Sequence, residues 1–267
     1  MRELDLDYGA LSNLIRSIDN QEVAVFEIPA ESASVIADQL SVAVRRCYVS
    51  DAVLDARAHA AGRPRADILA ARLPDRGSTM AGDFGEILTS IFQAAREHPN
   101  ELFDAKKWRL KQDRTMPAPK SDVVQMVLPY WPLSSAEDRL ICSEVKTKST
   151  HGGSTPVADA IRDSRKDSDG RLIKTLEWLK ERALDTGLTT VTIEMLDRFI
   201  EAIDHPQASL EFSAVAVLCA SLDLESELRD VALPSRTERA VVILTVPDLK
   251  TYYEDVFQRA LVSVSIG

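Results

Sequence analysis

At 267 residues, 45% of them hydrophobic and 28% charged, the chain has the size and composition of an ordinary folded protein of one large or two small domains. Its apolar runs fall short of the roughly 18 residues that cross a bilayer, and Met1-Arg2-Glu3-Leu4-Asp5 lacks a secretory leader's apolar stretch. The net charge is −10, and Cys47, Cys142 and Cys219 form no CxxC pair, so a reduced, cytoplasmic location without membrane contact is expected.

In chain order, Glu22–Ile28 reads as a strand stopped by Pro29. A helix follows, with Ala33, Ile36, Ala37, Leu40 and Val44 on one face, and then a second strand around Arg46–Val49. An Ala-rich helical stretch leads into the polar loop Pro74–Ser78. Gly82–Arg96 is a stronger helix, because Phe84, Ile87, Leu88, Ile91, Phe92 and Ala95 recur at helical spacing. Three strands come next: Trp108–Lys111, Asp122–Leu128 between prolines, and Arg139–Lys146. Thr147–Pro156 is a loop. Helices are expected near Val157–Arg165 and Leu172–Ala183, split by Asp167–Gly170, the second with Ile173, Leu176 and Leu179 as its stripe. A helix at Ile193–Ile203, strands at Ala214–Leu218 and Ala240–Val246, and a helix from Asp248 to Leu261 complete the chain. Mixed strands and helices without repeats predict an α/β (α+β) fold. Residues 1–79 read as an N-terminal α/β extension and 80–267 as the main domain.

Strand periodicity puts Glu144 and Lys146 on one face, with Val145 pointing the other way. Asp122 opens the preceding strand, and antiparallel pairing through the Pro129–Asp138 connection brings it beside Glu144. Two converging carboxylates suit a hard divalent cation such as Mg²⁺, with the Val145 backbone carbonyl as a further ligand. Lys146 is then placed to hold or help deprotonate an attacking water. An exposed Glu/Lys pair is more often a weak surface ion pair, but the apolar flank Leu140-Ile141-Cys142 marks a core strand. Glu86 lies off the apolar stripe of its helix. It reads as a solvated helix-start carboxylate or as a third acidic group at the cation, and Gly82 and Gly85 beside it permit close backbone approach.

Charge is uneven along the chain. Residues 106–174 carry 14 Lys/Arg and 9 Asp/Glu, a local +5, which leaves −15 on the remainder. No GxxxxGK[ST] loop, GxSxG elbow or Cys/His signature is present, which argues against ATP hydrolysis and acyl transfer by this chain. Lys148 and His151, in the loop with Gly152-Gly153, are candidate phosphate contacts, with ordinary solvated residues the plainer reading.

Gly85-Glu86 on a helix, Lys120-Ser121-Asp122 opening a strand and Ser143-Glu144-Val145-Lys146 resemble the PD-(D/E)xK nuclease superfamily, which has a restriction-endonuclease-like core of a mixed central sheet flanked by helices. Gly82-Asp83-Phe84-Gly85-Glu86-Ile87-Leu88, the Glu-Val-Lys strand and Ala158–Ser164 are similar, more narrowly, to HamA, the nuclease subunit family of the Hachiman anti-phage defence system. The resemblance covers residues 80–170. Pro119-Lys120-Ser121-Asp122 stands where the superfamily name has an adjacent Pro-Asp. The resemblance implies a DNase dependent on Mg²⁺ or Mn²⁺ that acts on DNA through Glu86, Asp122, Glu144 and Lys146. It also implies a partner helicase, HamB, that restrains the nuclease until phage or damaged DNA is sensed. The alternative is a non-catalytic interaction subunit that keeps the fold.

Overall fold

The computed structural model describes residues 1–188 and 190–264, apart from the Ala202 side chain. Thr189 and residues 265–267 of the segment 80–267 lie outside the described residues. In chain order the elements are α1 (Tyr8–Leu14), β1 (Arg16–Ile18), β2 (Ala24–Glu27), α2 (Ala30–Tyr48), α3 (Asp51–Ala61), α4 (Arg65–Ala70), α5 (Ser78–Glu97), β3 (Leu102–Asp104), β4 (Val123–Val127) and β5 (Arg139–Lys148). Then come α6 (Pro156–Lys166), α7 (Leu172–Thr186), α8 (Ile193–Ile200), β6 (Ser209–Cys219), α9 (Leu224–Leu228), β7 (Ala240–Val246) and α10 (Leu249–Ser263).

Among the described residues, seven strands form one mixed sheet in the order β1-β2-β7-β6-β5-β4-β3. β2, β7, β6 and β5 run parallel, while β1 at one edge and β4 and β3 at the other are antiparallel to their neighbours. β7 and the part of β6 from Ala214 onward are apolar almost throughout because helices cover both faces. One face carries Ile141, Val145, Val217 and Val246 and packs against α2, α5 and α10. On the other, α7 and α8 cover Val124, Met126, Leu140 and Cys142, and α6 covers Ala214, Ala216 and Ile243. Residues 1–79 supply β1, β2 and α2 to this same sheet and core.

Two expected strands are helical. Arg46–Val49 falls at the end of α2, where Val44, Cys47 and Tyr48 continue the buried helix face and Arg45 and Arg46 both bond Asp51 at the start of α3. Trp108–Lys111 falls in a 3-10 turn, Lys107–Leu110, entered through the left-handed Lys106 (φ 50°). In a strand Lys107 and Trp108 would point to opposite faces. Here both side chains reach one carboxylate, that of Glu86.

Other differences are shifts of boundary. β5 runs on to Lys148, because pairing with β6 continues to Lys148–Leu218. The stripe of α7 is Leu172, Leu176 and Leu179, and Ile173 is 39% exposed. The helix expected at Ile193–Ile203 stops at Ile200, and a 3-10 turn follows at Ala202–Asp204.

Candidate active site

β4 and β5 pair with Val123 opposite Ser143, so the ladder ends just where Asp122 and Glu144 begin. Beyond that end, the Val145 N–H has no β4 residue to meet and donates instead to Asp122 Oδ2 at 2.8 Å. N–H and C=O of one strand residue point to the same neighbour, so the Val145 carbonyl is directed to Asp122's side as well. The contact fixes Asp122 against β5.

Glu144 is buried. Its Oε1 accepts from Lys146 Nζ at 2.6 Å and its Oε2 from Arg171 Nη2 at 2.5 Å. Lys146 also reaches Asp163 Oδ2 at 3.1 Å, and Arg171 donates to both oxygens of Asp167 at 2.7 and 2.8 Å. The pairing of Glu144 with Lys146 follows from strand periodicity. Burial, with the like charge of Asp122, pushes the Glu144 carboxyl up to about 7 against the pull of Lys146 and Arg171. Burial would lower Lys146, but Glu144 and Asp122 hold it above the ordinary lysine value.

Glu86 is not solvated. It sits on α5, 7% exposed, where its Oε2 accepts from Trp108 Nε1 at 3.1 Å and lies 3.2 Å from Lys107 Nζ. Lys107 Nζ is 3.9 Å from Asp122 Oδ1 and donates to the Ser121 carbonyl at 2.8 Å. Burial pushes the Glu86 carboxyl up to about 8, with Asp122 adding to the rise and Lys107 opposing it. Asp122 is thus the charge felt by both glutamates. Gly85 explains how α5 comes so near, since a Cβ there would stand 2.1 Å from Thr147 Oγ1 on β5. Gly82 has open space around it.

The donor set can be tested against a divalent cation. Among the described residues, no three His, Cys, Asp or Glu side chains converge as a ready ligand group. Mg²⁺ needs only one or two carboxylates and keeps several waters. Asp122 and Glu144, with the Val145 carbonyl on the same side, meet that lesser requirement, and among the described residues Asp122 Oδ1 has no hydrogen-bond donor. All are hard oxygen donors, and their mutual repulsion is what a cation relieves. Glu86 is engaged by Lys107 and Trp108.

The HamA family model matches residues 10–260, which include Glu86, Asp122, Glu144, Lys146 and most of the N-terminal stretch. The chain belongs to the HamA family. Membership connects it with Hachiman anti-phage defence. No curated protein matches the chain. Among the described residues no helix is long and apolar enough to cross a membrane.

In this HamA-family chain several side chains at the site escape sequence reading. Lys107 and Trp108 were hidden by an alternation that mimics a strand. Arg171 lies 25 residues past Lys146 in sequence, across a kink where Gly170 adopts φ 115°. Asp163 falls inside the Ala158–Ser164 stretch, but no spacing ties it to Lys146. Ser121 joins the layers: its Oγ donates to Asp167 Oδ1 at 2.6 Å and its N–H to Thr175 Oγ1 at 3.3 Å. Lys148, expected in a loop, is instead buried at the end of β5, donating to Glu227 at 2.6 Å and to the Ser154 carbonyl. His151 is exposed.

Proposed function

We propose that the chain is the metal-dependent DNase subunit of a Hachiman system, with the restriction-endonuclease-like core of PD-(D/E)xK nucleases, acting with a helicase partner of the HamB kind that restrains it. The observation that carries this reading is the seating of Asp122 on the Val145 N–H beside the Glu144–Lys146 pair. Asp122, Glu144 and the Val145 carbonyl would hold Mg²⁺ or Mn²⁺, with Glu86 close behind Asp122. When bound, such an ion supplies neutralising charge to a scissile phosphate and acidifies water.

Lys146 is the group at this site placed to orient an attacking water and to offset charge on the pentavalent phosphate. Glu144 aligns Lys146 by accepting from it at 2.6 Å, and Asp163 holds the same ammonium from the other side. Arg171 bridges Glu144 and Asp167, which fixes the carboxylate for its task. The test is cleavage of DNA by purified protein with Mg²⁺ or Mn²⁺, its loss in EDTA, and its loss in Glu144→Ala and Lys146→Ala.

A second reading, a non-catalytic subunit of a DNA-processing complex, draws on the engagement of Glu86 and Glu144 by Lys107, Lys146 and Arg171. Added Mg²⁺ separates the two. The nuclease reading predicts cutting once the ion competes for Glu144, whereas the second predicts none even when the partner is removed.

A further inference from the structure

A separate cleft opens where the junction of α2 and α3 faces the 3-10 turn and the C-terminal part of α7. Its volume is about 310 Å³, the size of a small-molecule site. Four arginines line it: Arg57, Arg72, Arg109 and Arg182. Among the described residues no Asp or Glu does, in a protein with 42 acidic residues against 32 Lys and Arg.

Two of these cations, among the described residues, are only partly satisfied. Arg72 Nη2 donates to the Arg109 carbonyl at 2.7 Å, but Arg72 Nε is buried with no acceptor. Arg182 Nε is buried without one too, although its Nη2 meets Asp185 at 3.0 Å. Arg109 is bonded to Glu3 and to the Arg46 carbonyl, so its charge is largely offset and Arg57 and Arg72 carry most of the positive charge of the cleft. Burial and the charge of Arg57 hold Arg72 below the ordinary arginine value, whereas Arg171 and Arg259, each paired with carboxylates, shift upward.

Guanidinium forks match phosphate oxygens, and desolvated ones gain most from an anion. Several in one cleft call for more than one negative charge, which a phosphate monoester carries and a single carboxylate does not. The cleft is larger than a phosphate, and Val49, Val53 and Leu110 supply apolar wall for the rest of a ligand. We infer that this cleft binds a phosphate-terminated nucleotide, either free or as the phosphorylated end of a DNA strand.

The cleft is distinct from the carboxylate site. Thr175, which bonds Ser121, and Arg182, which lines the cleft, are seven residues apart on α7, about 10 Å along the helix axis.

The test is calorimetric titration of the full-length protein in EDTA with dTMP, a short single-stranded oligonucleotide bearing a 5′-phosphate, and the same oligonucleotide with a 5′-hydroxyl. Binding of dTMP assigns the free nucleotide. Binding of the phosphorylated strand alone, at least tenfold tighter than the hydroxyl form, assigns the strand end. Arg57→Glu and Arg72→Gln are each expected to weaken binding at least tenfold. Arg57 is exposed, so the first substitution keeps the test meaningful should the second perturb folding. The inference is overturned if neither phosphate-bearing probe binds, if the 5′-hydroxyl strand binds as tightly as the phosphorylated one while dTMP does not, or if Arg57→Glu binds like the unsubstituted protein.

Discussion

Gly85 sets how closely α5 can approach β5, and through that approach it positions Glu86. With a Cβ only 2.1 Å from Thr147 Oγ1, Gly85→Ala must turn that hydroxyl aside or push the layers apart. The expected cost is about 1–3 kcal/mol, seen as a lower Tm. A Tm equal to the unsubstituted protein's would show that Thr147 turns aside and that Gly85 does not set the spacing of α5 and β5. Glu86 itself predicts a pH signature in EDTA. Its carboxyl titrates near 4.5 as a free side chain and is pushed up to about 8 here by burial, so the folded state holds this proton more tightly than the unfolded one. Stability from this group is therefore present at low pH and lost as pH rises through that window. Glu86→Gln removes the loss, and its Tm should fall less than that of the unsubstituted protein between about pH 5 and about pH 8. Parallel Tm–pH curves would contradict the assignment. Sequence pattern alone made Glu86 ambiguous, because its burial depends on Lys107 and Trp108, which arrive from 21 and 22 residues away.

At the scale of elements, the long periodic segments were legible and the short ones were not. α2, α5, β4, β5 and β7 each carry enough apolar repeats to reveal their period. β1 and β3 are three-residue edge strands whose pairing partners, not their own pattern, make them strands. The 3-10 turn at Lys107–Leu110 failed for a related reason, since its conformation answers to the carboxylate of Glu86. The β4–β5 connection carries its own prediction. Asp138, just ahead of β5, accepts from Arg198 Nε at 2.5 Å, both residues are 1% exposed, and Arg198 also donates to the carbonyls of Ser135 and Pro206. Asp138→Ala strands a buried guanidinium and should cost about 3–5 kcal/mol in denaturant unfolding. A loss below about 1 kcal/mol would mean that water reaches Arg198.

For the whole molecule, the antiparallel pairing of β4 with β5 was the inference that mattered most. It followed from the proline-rich connection and brought Asp122 to Glu144. The place of residues 1–79 was not legible, because no short-range signal tells a strand that its partner, β7, lies more than two hundred residues on. Charge acts at this scale as well. A +5 segment set in a −15 remainder predicts that the isolated chain binds DNA weakly. In EDTA its affinity for duplex DNA should fall steeply as salt rises, and tight, salt-insensitive binding would contradict this. The measurement that tests the central claim most directly is a DNA-cleavage assay on the purified chain freed of any partner, with Mg²⁺ or Mn²⁺, comparing the unsubstituted protein with Glu144→Ala and Lys146→Ala. The account predicts cutting by the unsubstituted protein alone, abolished by EDTA, with both variants still folded. Undiminished cutting by the two folded variants would contradict it.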